Sequence, residues 1–192
     1  MNLPTRFTAA LVLMLVGCVP YRKGSFNGPA TVTDSGFFSY YRYHFRFSPS
    51  LSLREKSEQS YRFHGMPKDP MMVWFAVAPF KFGDYEKVQS LTTVLSVELR
   101  DDRGTLVCSG TSPLSDSLRG VPEADGQGKW NDDHWVLAAG ANNAEFWRPG
   151  CGGVKFKRGR SYTLNVKLDR IDPRTPEMSI TPWIDGGGNE LP

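Results

Sequence analysis

The chain is 192 residues long, within the usual size of one domain, and its 23 basic residues face 20 acidic ones for a net charge of only +3. So small an excess argues against nucleic acid as a partner, because that binding depends on clustered basic charge. After Gly17 no apolar run approaches the length of a bilayer span.

The chain opens with a single basic residue, Arg6, ahead of a short apolar run from Ala9 to Val16, and the small Gly17 stands directly before Cys18. That is the layout of an export signal, and the run is too short to cross a membrane comfortably. The segment Leu15-Val16-Gly17-Cys18 resembles the lipobox of bacterial lipoproteins. The resemblance implies that residues 1–17 are a signal peptide and that the Cys18 thiol is acylated, with palmitate-type chains. Cys18 then becomes the first residue of the mature chain. Val19 stands where inner-membrane lipoproteins of Gram-negative cells tend to carry Asp, so the resemblance favours the outer membrane. Two or three acyl chains, at about 0.8 kcal/mol per buried methylene, suffice to hold the domain at the bilayer.

From Val19 to about Thr33 apolar periodicity is poor, and Pro20, Gly24, Gly28 and Pro29 suit a flexible tether. The expected organisation is therefore a signal peptide over 1–17, a lipidated tether over 18–35 and one domain over 36–192. Ordered structure is expected from about Gly36. Tyr41, Tyr43, Phe45 and Phe47 alternate with Arg42, His44 and Arg46, which predicts a one-sided strand with His44 on the wet face. Leu51 to Gly65 holds the best helix candidate, through Leu51, Leu53, Arg54, Glu55, Lys56, Glu58 and Gln59, with a polar loop as the alternative. Met71 to Phe80 is a near-continuous apolar run between prolines and predicts a central strand buried on both faces.

Leu91, Leu95, Val97 and Leu99 alternate up to Asp101-Asp102-Arg103-Gly104, after which Thr105 to Gly110 returns as a second strand. This is the clearest hairpin in the chain, and Asp101 and Asp102 read better as turn residues than as metal ligands. Ser112 to Asp133 reads as a long polar excursion. Trp135 to Ala138, Ala144 to Trp147, Val154 to Phe156, Tyr162 to Asp169 and Met178 to Ile184 are further strand candidates, with Tyr162, Leu164, Val166 and Leu168 facing inward. Many short alternating strands joined by turns, with at most one short helix, imply an all-β antiparallel sandwich. Cys108 and Cys151 are the two cysteines left after Cys18, and an oxidising compartment makes their pairing the default.

The ending Tyr162-Thr-Leu-Asn-Val-Lys-Leu-Asp-Arg-Ile-Asp-Pro173, followed by Pro182-Trp183-Ile-Asp-Gly-Gly-Gly188, resembles the closing strands of small Gram-negative lipoproteins of unknown function. That resemblance implies a sandwich of immunoglobulin-like or jelly-roll type. Its motifs are structural and transfer no catalytic residue.

Catalytic chemistry finds little support. His44, His64 and His134 are the only histidine bases, and the chain has no Gly-x-Ser-x-Gly elbow, no phosphate-cradling loop and no histidine pair at zinc-ligand spacing. No enzyme activity, cofactor or metal is expected. The best local constellation is Trp130-Asn131-Asp132-Asp133-His134-Trp135, where indoles flank polar groups. Exposed indoles stack on the apolar faces of sugars while carboxylates and amides bond hydroxyls, so Trp130, Asp132, His134 and Trp135 are glycan-site candidates. Ordinary strand packing of Trp135 and turn chemistry of the polar residues is the competing account. The expected function is a non-catalytic, outer-membrane-tethered lipoprotein that binds another envelope component. Its alternatives are a glycan-binding module using the Trp130 to Trp135 loop and an immunity or inhibitor lipoprotein against a periplasmic toxin or hydrolase.

Overall fold

The computed structural model describes residues 26–37, 40–67, 70–78, 90–114, 121–124, 130–138, 151, 153–157 and 159–186. The lipobox and Cys18, the end of the apolar run at Phe80 and the strand candidate Ala144 to Trp147 lie outside these residues. In chain order the strands are β1 (Ala30–Phe37), β2 (Tyr40–Phe47), β3 (Leu51–Ser52), β4 (Ser57–His64), β5 (Pro70–Ala78) and β6 (Val94–Asp101). They continue as β7 (Leu106–Pro113), β8 (Val121–Ala124), β9 (Trp130–Ala138), β10 (Val154–Lys155), β11 (Ser161–Arg170) and β12 (Ser179–Gly186). One sheet runs β1-β2-β12-β5-β9-β8, with β10 beside β5 and β3 beside β12; the other has four strands in the order β4-β11-β6-β7. The pairing is antiparallel throughout the described ladders. The chain is an all-β antiparallel sandwich.

Period-two sequence sets what each sheet turns inward. From the larger sheet come Tyr43, Phe45 and Phe47 of β2, Met71, Val73, Phe75 and Val77 of β5, and Ile180 and Ile184 of β12, all buried. From the smaller sheet come Tyr61 and Phe63 of β4, Leu95, Val97 and Leu99 of β6, and Tyr162, Leu164, Val166 and Leu168 of β11. The two sets meet in an aromatic seam, where the Phe47 ring lies 5.4 Å from Tyr61 and 5.1 Å from Phe63, and Phe156 stands edge-on to Tyr162 at 4.8 Å. Each such side chain contributes about 1.5–3 kcal/mol by leaving water. The Tyr61 hydroxyl donates to the Pro49 carbonyl, and burial pushes its phenol up to about 12.

The Cys108 and Cys151 sulfurs are bonded, with the Cα atoms 5.2 Å apart and both side chains fully buried. Cys108 belongs to β7 of the smaller sheet, while the Cys151 carbonyl accepts from the Val73 N–H of β5 at 3.1 Å. The bridge therefore joins the two sheets. The β6–β7 hairpin turns as expected, Gly104 supplying a φ of +76°. Asp101 Oδ1 accepts from the Arg103 and Thr105 N–H groups at 3.0 and 2.9 Å. Desolvation alone would raise the Asp101 carboxyl, but the Thr105 and Arg103 donors outweigh it and hold it below its ordinary value. That carboxylate is committed to its own turn.

Three expectations are corrected. The helix expected over Leu51 to Gly65 is strand, β3 and then β4, because Tyr61 and Phe63 enter the core while Ser60, Arg62 and His64 stay exposed, a two-residue period that outweighs the helix formers upstream. Among the described residues the first strand begins at Ala30 rather than near Gly36, since the β-branched run Thr31-Val32-Thr33 pairs with Arg46, Phe45 and His44 of β2. The polar excursion from Ser112 to Asp133 contains β8 and the first residues of β9.

Candidate functional site

The residues singled out between Trp130 and Trp135 form the first part of β9 rather than a loop. Their bulky ends fit a ladder: Trp130 is opposite Ala124 of β8, and Trp135 is opposite both Pro122 of β8 and the core residue Val77 of β5. Between those ends the register jumps, passing from Trp135 to Asn131 while β8 advances by one residue. The regular one-to-one pairing of β8 with β9 is interrupted there. The side chains of Trp130, Asp132, His134 and Trp135 lie outside the described residues.

The structure assembles a different constellation on the outer face of the larger sheet. Because Phe45, Phe75 and Ile184 face inward, their neighbours in sequence face out, and the register aligns those neighbours across three adjacent strands. Trp183 of β12 is opposite Arg46 of β2 on one side and Trp74 of β5 on the other. In the next row Asp185 is opposite His44 and Met72. Gly186 permits this close approach, since a Cβ there would fall on the Pro70 carbonyl and 2.7 Å from Met71 Cα. The Arg46 guanidinium carbon lies 5.7 Å from the centre of the Trp183 ring, a cation–π contact, and the His44 imidazole meets the same indole edge-on at 6.3 Å. His44 Nδ1 stands 3.4 Å from Asp185 Oδ1.

The burial of this face is unusual for the outside of a sandwich. Trp183 is 8% exposed, Thr181 2% and Ala76 0%, whereas His44, Trp74 and Met72 are half-buried and Arg46 is exposed. The Nε1–H groups of Trp74 and Trp183 are buried and have no hydrogen-bond partner among the described residues. An indole donor left that way costs about 1–3 kcal/mol. Sequence reasoning missed this group because Trp74 and Trp183 are far apart in the chain and each reads as an ordinary strand residue. The signal available was that both occupy positions whose strand neighbours, Val73, Phe75 and Ile184, are the stronger core candidates.

The outer face of the smaller sheet differs in kind. An open concavity of about 530 Å³ lies over Ser96, Glu98, Ser109, Thr111, Asn165 and Lys167. Its polar groups are largely bonded to one another or to adjacent residues. Glu98 takes Arg100 at 2.6 Å, Asp169 takes Ser96 at 2.7 Å and also Lys167, Ser60 donates to Asn165 at 2.6 Å, and Thr111 donates to Ser96 at 2.9 Å. The hydrogen bond from Arg100 holds the Glu98 carboxyl below its ordinary range, and that from Lys167 does the same for Asp169.

No family model matches the chain, and no curated protein does. Among solved structures it is similar to the insecticidal delta-endotoxin Cry8Ea1 of Bacillus thuringiensis, at 11% identity and a TM-score of 0.38, covering 74% of this chain but only 20% of the toxin. It is also similar to TmCBM27, a carbohydrate-binding module with specific mannan recognition, at 8% identity and a TM-score of 0.32, covering 84% of this chain and 88% of the module. A third is the low-affinity xylan-binding module CBM86 of Roseburia intestinalis, at 10% identity and a TM-score of 0.24, covering 87% and 91%. The functional reading rests on this chain's own residues.

Proposed function

We propose that the chain is a lipid-anchored, non-catalytic binding protein of the bacterial outer membrane, and that it takes a glycan on the outer face of its larger sheet. The observation that carries the binding reading is the row Arg46, Trp183, Trp74. A sandwich needs only solvated polar chains on its outside, yet here two indoles are set directly opposite one another, with a guanidinium, an imidazole and a carboxylate beside them. Indole faces pack on the apolar faces of sugar rings, and the flanking polar groups bond hydroxyls. The address is supported by Leu15-Val16-Gly17-Cys18 and by the buried Cys108–Cys151 bridge, which suits an oxidising compartment.

Two measurements test this. Metabolic labelling with palmitate should mark the wild type and leave Cys18→Ala unlabelled and no longer extracted with membranes; label on the variant would remove the anchor. Titration with peptidoglycan fragments and lipopolysaccharide sugars should saturate with the wild type and fail with Trp74→Ala, provided its melting curve shows it folded. Absence of saturable binding by the wild type would remove the glycan reading and leave inhibition of a periplasmic protein in its place.

A further inference from the structure

We infer that the ligand of the Trp74–Trp183 face is an acidic saccharide, one whose ring carries a carboxylate; this rests on the glycan reading above and narrows it. Two hydrogen bonds on this face are left open among the described residues. The Nε1–H groups of Trp74 and Trp183 are buried donors without acceptors among the described residues, and Trp183 as a whole is 8% exposed. Both are donors only, so what satisfies them must bring oxygen lone pairs. The register puts the two indoles on directly opposed positions of β5 and β12, a spacing of about 5 Å between Cβ atoms. One ligand lying across the two strands meets both indoles.

Charge selects among oxygen-bearing ligands. Arg46 makes no ion pair with any described residue and rests its guanidinium over the Trp183 ring, a contact it can leave because its chain is long and exposed. Swinging from the ring to an incoming carboxylate exchanges a cation–π contact for a charge-assisted hydrogen bond. The His44 imidazole, in the next row, already stands against Asp185 at 3.4 Å, which leaves the Arg46 guanidinium as the group that receives a ligand's negative charge. Asp185 in turn is an acceptor that a ligand hydroxyl can donate to. Oxygen acceptors for two indoles, a negative charge for Arg46, a hydroxyl for Asp185 and an apolar ring face for the aromatic surface together describe a uronic-acid-type sugar.

The test is a nuclear magnetic resonance titration of the full chain in detergent, following the indole N–H signals of its five tryptophans. Trp74→Phe and Trp183→Phe each remove one signal and so assign it while keeping a ring in place. Sodium D-glucuronate is compared with D-glucose, which has the same ring without the carboxylate, and with sodium acetate, which has the carboxylate without the ring. The expected result is that glucuronate moves the Trp74 and Trp183 signals saturably, that glucose binds about tenfold more weakly, and that acetate leaves them in place. Arg46→Gln, a change at an exposed position, should erase the preference for glucuronate over glucose. Equal shifts with glucose and glucuronate would overturn the acidic-sugar inference while leaving the glycan reading intact. Equal shifts with acetate would show an anion site indifferent to sugar. Signals that stay still with both sugars would overturn the inference and the glycan site with it.

Discussion

The two outer faces of the sandwich are built from the same alternating strands and do opposite things with their polar groups. On the smaller sheet, Glu98 with Arg100, Lys167 with Asp169 and Ser60 with Asn165 are largely satisfied from within the face, and what remains is a solvated wall. On the larger sheet, Thr181 and Trp183 are buried, and among the described residues two indole donors lack acceptors and Arg46 makes no ion pair. Self-satisfied polarity supports a surface in water. Donors without acceptors beside a cation that has no ion pair among the described residues are what the proposed ligand face rests on.

The largest effect expected is on what the two faces share. Removing the bridge by Cys108→Ala, or reducing it, should lower unfolding stability by about 4 kcal/mol, from the separation of 43 residues in the closed loop. Denaturant titration with and without reductant measures it, and an unchanged midpoint would show that the sheets are held together without the bond.

A smaller effect is expected at the crossover between the sheets, where Asp172 follows β11 and precedes β12. Its buried carboxylate accepts from Arg174 Nη2 at 2.7 Å, from the Thr92 N–H at 3.0 Å and from the Arg174 N–H at 2.9 Å. The Arg174 bond, then the backbone donors, hold it well below the ordinary carboxylate range. A carboxyl depressed in the folded state contributes stability above its unfolded pKa and loses it as pH falls toward the folded value. Stability should therefore decline as the pH drops below about 4. Asp172→Asn should melt several degrees lower at neutral pH and show a shallower acid-side decline, which melting curves across acidic pH resolve.

The smallest effect is expected on the smaller sheet's outer face. Lys167→Gln and Arg100→Gln should leave the melting temperature and any glycan binding unchanged, because exposed pairs are screened by water and salt. A loss of binding in either would move the site to the wrong face.

Most of the sandwich was legible where burial is one-sided. The alternation of Tyr162, Leu164, Val166 and Leu168 predicts β11 almost residue for residue, and the apolar run from Met71 predicts β5, whose outward Ala76 is buried as fully as its inward Phe75. β4 was misread because Leu51 to Gln59 is composed of helix formers, and the two-residue period shows only in Tyr61 and Phe63. β8 was missed because a four-residue edge strand with Pro122 carries almost no local signal. The candidate site was not legible. Its row is created by register between β2, β5 and β12, and no local pattern encodes that Trp74 meets Trp183 or that His44, read as a wet-face residue, reaches Asp185.

The most direct measurement of the central claim compares the two faces in one experiment: a calorimetric titration of the full chain in detergent with peptidoglycan fragments, run on the wild type, Trp74→Ala and Lys167→Gln, each first shown to be folded by its melting curve. If the larger sheet's outer face is the ligand face, the wild type and Lys167→Gln bind with the same affinity and Trp74→Ala loses at least tenfold. Binding that survives Trp74→Ala and falls with Lys167→Gln would contradict the account.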